Sequence, residues 1–200
     1  MHTVDYPALL RQVFAAAVAL PAQIVSLQKL QGQMQGKGTL PTIQSYLDIL
    51  GQSFLVSAIY KYSGSGLRTN RSSPKLIIHD NAFMRAFEIP IYAPLSPEKK
   101  GRYFENAVGA RFIEAGWQVF YWKDRDHEAD FVVLGPQGQK WAIEVKSSNY
   151  ESKDLNGIRK FCSIHPDFSP RVICLTECQV SEITHVPVEG VLSLSREMHL

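Results

Sequence analysis

The 200-residue chain is 45% hydrophobic and 20% charged, which is the composition of a soluble globular protein with one large or two small domains. Its net charge of +2 and its pI near 8.4 are only mildly basic, so charge alone neither requires nor excludes a polyanionic partner. Three cysteines, at positions 162, 174 and 178, show no zinc-binding pattern and indicate reduced residues of a cytoplasmic protein. The apolar run at residues 13–20 falls short of the about 20 residues that a membrane span needs, so we expect no membrane segment.

Residues 1–80 are predicted to form a small helical domain of the winged-helix type. Apolar residues recur at helical spacing over residues 6–20 and 23–34, and again after a capping residue, Thr39 or Thr42. Two strand-like runs, residues 54–62 and 75–79, then flank a segment rich in turn residues. Three short helices followed by a hairpin are the layout of a winged helix.

The tip of this hairpin carries Arg68, Arg71 and Lys75 among small polar residues. Basic side chains on a flexible wing are suited to contact the phosphates of a nucleic acid. A solvated loop with incidental charges fits the same residues equally well. The third helix contains Gln44 and Asp48 and is not a basic recognition helix, so it equally fits a packing platform or a homodimer surface.

Residues 81–100 contain three prolines and are expected to be a linker, which leaves residues 101–200 as a second domain. Its predicted elements, in chain order, are a helix at 102–115 ended by Gly116, strands at 117–122, 129–134 and 140–147, a helix at 153–162 and a strand at 171–176. The order αβββαβ indicates a mixed sheet flanked by helices, and so an α/β fold.

A group of charged residues in this second domain is predicted to converge. Within the strand segment WAIEVK, alternation places Glu144 and Lys146 on the same face. Asp130 begins the preceding strand, and the tight turn between the two strands brings it near Glu144. Glu105 lies on the helix before the sheet, about one hundred degrees from its apolar stripe. We therefore expect three carboxylates and one lysine to meet.

Carboxylates without His or Cys partners suit hard cations, and two or three of them holding Mg²⁺ or Mn²⁺ leave positions for water and a phosphate. Such an ion lowers the pKa of its bound water and neutralises charge on the phosphoryl group. Lys146 is expected to orient or deprotonate the attacking water, or to stabilise the transition state as a point charge. This chemistry is hydrolysis of a phosphodiester. The alternative is a pair of surface salt bridges on a solvated sheet face.

The motifs GRYFENAV, EADFVV and AIEVKSS resemble the PD-(D/E)XK nuclease superfamily, whose core is αβββαβ and whose site uses a helical Glu, a strand Asp and a strand (D/E)-X-K. More closely, they are similar to the uncharacterised carboxy-terminal domain of prokaryotic AAA-family ATPases. In that family a P-loop ATPase is followed by a winged helix and this nuclease-like domain. The segments TIQSYLDILGQSFLVSAI and KLIIHDNAFMRAF also look like the family's winged-helix and linker segments, so the resemblance covers most of the chain.

The resemblance implies a restriction-endonuclease-like site in which Glu105, Asp130 and Glu144 hold the metal ion. These three residues and Lys146 then take the catalytic roles. Glu128 matches an acidic position of the family and is implied as an auxiliary ligand.

Two departures from the family pattern stand out. Ala129 precedes Asp130 where the pattern usually has proline. No ATPase motif is present either, because the segment GQMQGKGT at residues 32–39 has three residues between its glycines where a P-loop needs four. We therefore expect a cytoplasmic, Mg²⁺-dependent DNA endonuclease without its own ATPase domain. The alternative is a catalytically silent module that binds DNA or a separate ATPase subunit.

Overall fold

The fold is a mixed α/β arrangement of helices and two sheets, with 43% of the described residues in helices and 24% in strands. The computed structural model describes residues 4–35, 38–64, 72–88, 93–175 and 183–193. The helices and sheets within these ranges confirm the predicted α/β class.

Three helices open the described chain, and their bounds are Pro7–Val18 (α1), Leu27–Gly32 (α2) and Leu40–Gln52 (α3). The predicted cap of α3 is confirmed at Thr39, whose hydroxyl accepts the Thr42 N–H at 3.3 Å. The second helix is shorter than predicted and begins only after Ser26. The physical reason is that residues 22–25 bond to residues 74–76: the N–H groups of Ala22 and Val25 donate to the carbonyls of residues 76 and 74 at 2.8 Å.

The predicted hairpin consists of strands Val56–Ile59 (β1) and Lys75–Ile78 (β2), which pair antiparallel. All four residues of β2 are buried. β1 and residues 22–25 bond to the two edges of this strand, and its apolar side chains pack into two buried clusters. A strand covered in this way differs from the exposed arm expected of a wing. The tip residues Arg68 and Arg71 lie outside the described residues.

The stretch predicted as a linker contains regular structure at both ends. A short helix, Asn81–Ala86 (α4), follows the hairpin, and the helix Pro97–Glu114 (α5) begins within the stretch. Ser96 caps α5 by accepting the N–H of Lys99 at 3.3 Å, and Pro97 fits the first helical turn. As predicted, Gly116 follows the end of the helix; it has a φ of 76° and so takes the left-handed conformation that favours glycine.

A five-stranded mixed sheet follows α5. Its strands are Gln118–Asp124 (β3), His127–Leu134 (β4), Lys140–Lys146 (β5), Ser169–Cys174 (β6) and Thr184–Val186 (β7), in that spatial order. The first three strands are antiparallel neighbours, whereas β6 runs parallel to β5 and β7 parallel to β6. Helix Asn156–Ile164 (α6) connects β5 to β6, and helix Val188–Ser193 (α7) follows β7. The order αβββαβ is thus present, with β7 and α7 as additions that the sequence pattern did not predict.

The hairpin and the sheet share one apolar core. Ile77 of β2 packs in the same buried cluster as Phe112 of α5 and Phe131 of β4. Gly109 lets α5 approach β4 closely, since a Cβ there would lie 2.7 Å from the Phe131 ring. Among the described residues, no helix combines the length and apolarity needed to cross a membrane.

Asn106 joins α5 to β2. Its side chain is fully buried, accepts the Ile78 N–H at 2.8 Å and donates to the Ile78 carbonyl at 2.7 Å. A second donor contact reaches Asn81 at 3.0 Å. Because buried backbone groups must be hydrogen-bonded, the Asn106 amide fixes the position of α5 relative to β2.

We expect Asn106→Ala to lower the free energy of unfolding by about 2–4 kcal/mol, because both backbone groups of Ile78 lose their partner inside the core. Urea denaturation measures the change. The control Gln52→Ala removes an exposed amide at the end of α3 and should change stability by less than about 0.5 kcal/mol. A loss below about 1 kcal/mol for Asn106→Ala would contradict this role.

Candidate acidic site

The site begins where the pairing of β4 with β5 ends. These strands pair Phe131 with Ile143, and Asp130 lies one residue beyond that pair. The Asp130 carboxylate accepts the N–H of Val145 at 2.8 Å through Oδ2, and its side chain is 17% exposed. The predicted proximity of Asp130 to the segment around Glu144 is therefore present, and a backbone donor fixes the orientation of the carboxylate.

Glu144 and Lys146 lie two residues apart on β5, as the alternation predicted. The Lys146 ammonium donates to Glu144 Oε1 at 2.7 Å. Glu144 is nearly buried, whereas Lys146 remains 26% exposed. The lysine is thus the member of this pair that a solvent-borne group can reach.

Glu105 of α5 contacts Lys75, which the sequence analysis predicted at the tip of the hairpin. The Lys75 ammonium, at the start of β2, contacts Glu105 Oε1 directly. It also donates to the backbone carbonyl of Asp130 at 3.1 Å and lies 4.0 Å from Asp130 Oδ1. Lys75 is 1% exposed and lies 4.8 Å from the centre of the Phe131 ring.

This placement corrects the prediction for Lys75. A side chain that is buried and engaged by carboxylates cannot offer its charge to a nucleic-acid phosphate. The correction has a physical reason: β2 is a covered strand, so its first residue points into the protein instead of lying on an exposed tip. Arg68 and Arg71 stay predictions, since they lie outside the described residues.

Burial and neighbouring charges change the pKa values of the carboxyl groups of the site. Burial and the nearby Asp130 carboxylate raise the pKa of Glu144 to about 9, against the opposing effect of Lys146. Burial and Asp130 likewise raise the pKa of Glu105 to about 7, against the opposing effect of Lys75. Near neutral pH the site therefore retains protons that exposed carboxyl groups would have released.

The two lysines respond in the same direction. Burial by itself would lower the pKa of Lys75, but the charges of Glu105 and Asp130 outweigh it and raise that pKa above the ordinary lysine value. For Lys146, burial is again opposed, chiefly by Glu144, and the pKa is raised. Both ammonium groups are therefore charged at neutral pH.

The auxiliary residue Glu128 lies close enough to influence the site electrostatically, since its charge contributes to raising the pKa of Glu105 and of Lys75. Its carboxylate is engaged by Lys123 at 2.8 Å across the β3–β4 pair. Glu128 therefore adds negative potential to the site while its own oxygen faces a different lysine.

The residues fit a metal ion in chemistry but not as the three-carboxylate centre that was expected. Within the described part of the chain, no three His, Cys, Asp or Glu side chains are grouped so as to hold a metal ion. The physical reason at Glu105 is its contact with Lys75. Asp130 and Glu144 remain as oxygen donors on adjacent strands, and a hard cation would compensate the charge of the Asp130 carboxylate, which acts on the nearby Glu144.

Sequence reasoning missed the part that Lys75 plays, although one signal was present. Lys75 directly precedes Leu76, Ile77 and Ile78, and such an apolar run indicates a strand buried on both faces. A lysine at the head of a buried strand needs an acidic partner. The sequence did not identify which of the 19 acidic residues supplies it.

Comparison with known proteins gives two family matches and no activity. Residues 100–191 match the family model of a domain of unknown function, DUF4143, and residues 1–92 match that of another domain of unknown function, DUF8612. DUF4143 is commonly found in AAA-ATPase-associated proteins. The searches of curated proteins and of solved structures gave no significant match. The acidic carboxyl groups lie in the DUF4143-like part, whereas Lys75 comes from the DUF8612-like part.

The carboxyl groups predict a pH dependence of stability in metal-free buffer. The folded-state pKa values of Glu105, about 7, and Glu144, about 9, lie above the ordinary value of 4.5. Between those limits the folded chain binds protons that the unfolded chain has released, so these groups lower stability as the pH rises. Glu144→Gln should remove most of this decline between about pH 7 and pH 9, where Glu105 has already titrated.

Urea denaturation of the parent protein and of Glu144→Gln, from pH 5 to pH 9 in the presence of a chelator, measures how the pH dependence of their stability differs. Glu151→Gln is the matched control, because the Glu151 side chain is 72% exposed and lies on the surface. Its curve should follow that of the parent protein. Parallel curves for Glu144→Gln and the parent would show that Glu144 does not carry the shifted proton.

Proposed function

We propose that the protein is a metal-dependent nuclease-like enzyme of the PD-(D/E)XK type that hydrolyses phosphodiesters of DNA. The observation that carries the proposal is the meeting of Asp130, Glu144 and Lys146 on the adjacent strands β4 and β5, with an electrostatic effect of Asp130 on Glu144. An acidic pair can hold a divalent cation, and the partly exposed ammonium beside it can contact the phosphate that the cation binds.

The individual residues have separable tasks. Asp130 is held by the Val145 N–H, and Glu144 by the Lys146 ammonium, so both carboxylates are oriented in advance. Bound Mg²⁺ or Mn²⁺ would supply a water of lowered pKa and neutralise charge on the phosphoryl oxygens. Lys146 keeps its proton at neutral pH, which favours stabilisation of developing negative charge over a role as general base.

The helical amino-terminal part is proposed as the DNA-positioning module of the same enzyme. Three helices and then a hairpin precede α4, the order that a winged helix has. Arg68 and Arg71 remain the candidate phosphate contacts, and DUF4143's common association with AAA ATPases supports a separate ATPase subunit as a further partner. A homodimer through α3 stays part of this proposal.

We expect Lys146→Met to slow DNA cleavage by about 10²–10³-fold, because the charge that faces the scissile phosphate is lost. Asp130→Asn and Glu144→Gln should abolish cleavage, since each replaces a negatively charged carboxylate ligand by a neutral amide. The assay uses duplex, single-stranded and branched DNA with Mg²⁺ or Mn²⁺.

Lys140→Met is the matched control for the cleavage assay. Lys140 starts the same strand and forms an exposed ion pair with Asp167 at 2.7 Å, away from the carboxylates. Its cleavage rate should equal that of the parent protein. Cleavage that survives Asp130→Asn would reject the assignment of the site.

A second candidate function is a catalytically silent module that binds DNA or an ATPase subunit. The contact of Lys75 with Glu105 and Asp130 favours it, because an internal ammonium already compensates carboxylates that a metal ion would otherwise neutralise. DNA binding without cleavage by the parent protein, retained in an Asp130→Asn, Glu144→Gln double variant, would support this function. Cleavage by the parent protein would exclude it.

A further inference from the structure

Lys75 presents its ammonium to a set of oxygens of the kind that hold a hard cation. The three oxygen contacts are Glu105 Oε1, the Asp130 backbone carbonyl at 3.1 Å and Asp130 Oδ1 at 4.0 Å. Carboxylate and carbonyl oxygens are also the ligands that Mg²⁺ and Mn²⁺ prefer. The position between Glu105 and Asp130 is therefore lined for a positive charge.

The ammonium is fixed in that position by its surroundings. Lys75 is 1% exposed, and its charge lies above the Phe131 ring at 4.8 Å from the centroid. The strand that carries it is buried at every residue and is tied to α5 through Asn106. Withdrawal of the side chain to solvent would require the covered strand β2 to move.

Among the described residues, the part of the site formed by Asp130 and Glu144 has no enclosed ammonium comparable to that of Lys75. Asp130 Oδ2 faces the Val145 N–H, and the ion-pair partner of Glu144 among the described residues is the partly exposed Lys146. Lys146 reaches solvent and can turn toward an incoming phosphate, whereas Lys75 cannot. The two lysines therefore differ in whether a cation can take their place.

From this difference we infer that Lys75 permanently occupies a cation position between Glu105 and Asp130, so that the acidic site accepts one divalent ion, at Asp130 and Glu144, and not two. The inference rests on the proposed function for the ion at Asp130 and Glu144, but the position between Glu105 and Asp130 is tested separately. It also means that the amino-terminal part of the chain supplies a fixed charge to the site of the carboxy-terminal part.

Isothermal titration with Mn²⁺ counts the ions bound by the full chain and by Lys75→Met. The parent protein should bind one ion. Lys75→Met keeps the length and apolar stem of the side chain but frees Glu105 and Asp130, so it should bind one more. The double variant Lys75→Met, Glu105→Gln removes the opened position and should return to the parent number, and Lys140→Met should equal the parent throughout.

A parent protein that binds no Mn²⁺ would count against the proposed nuclease function, yet Lys75→Met must still gain one ion if the inference is correct. An equal number of ions in the parent and in Lys75→Met would overturn the inference and leave the proposed function standing. If Lys75→Met does not fold in chelator, Mn²⁺ must restore its folding and its thermal transition. Failure of Mn²⁺ to restore them would equally overturn the inference.

Discussion

The buried contact between Lys75 and Glu105 is the interaction on which the arrangement of the two parts of the chain depends. An ammonium taken out of water costs several kcal/mol unless oxygen atoms replace its hydration. Here those oxygens come from α5 and from β4, whereas the lysine comes from β2. The helix, the hairpin and the sheet therefore have to meet at one point, or the charge is left without partners.

The packing around this point meets the same requirement. Asn106 follows Glu105 on α5 and holds the backbone of Ile78, at the far end of the strand that Lys75 begins. Gly109, one turn further along the helix, allows close contact with the Phe131 ring beneath the ammonium. Hydrogen bonding, close packing and charge compensation thus fix the same three elements relative to one another.

The function that follows depends on how this charge is shared. Two lysines serve neighbouring carboxylates, but Lys75 is enclosed and Lys146 is partly exposed. An enclosed ammonium acts as a permanent counter-charge, whereas an exposed one is available to a substrate. The acidic site is therefore compatible with a nuclease that binds one ion and with a silent module in which lysines alone balance the carboxylates. Whether Asp130 and Glu144 bind a metal ion decides between the two.

The part of the site that local patterns could predict is the part built within a single hairpin. Asp130, Glu144 and Lys146 follow from strand alternation and one tight turn, and the structure places them on β4 and β5 as expected. Lys75 could not be predicted as their neighbour, because it lies 55 residues before Asp130 and no periodicity relates the two. The predicted range of the second helix was too long for a similar reason, since residues 22–25 bond to the distant strand β2 and do not form helix.

Anomalous diffraction from crystals of the protein soaked in Mn²⁺ tests directly whether Lys75 excludes a second ion from the acidic site. We expect a single manganese peak at Asp130 and Glu144, with Lys75 still in contact with Glu105. A manganese ion between Glu105 and Asp130 with Lys75 displaced would contradict this role of Lys75, as would the absence of any peak at these carboxylates.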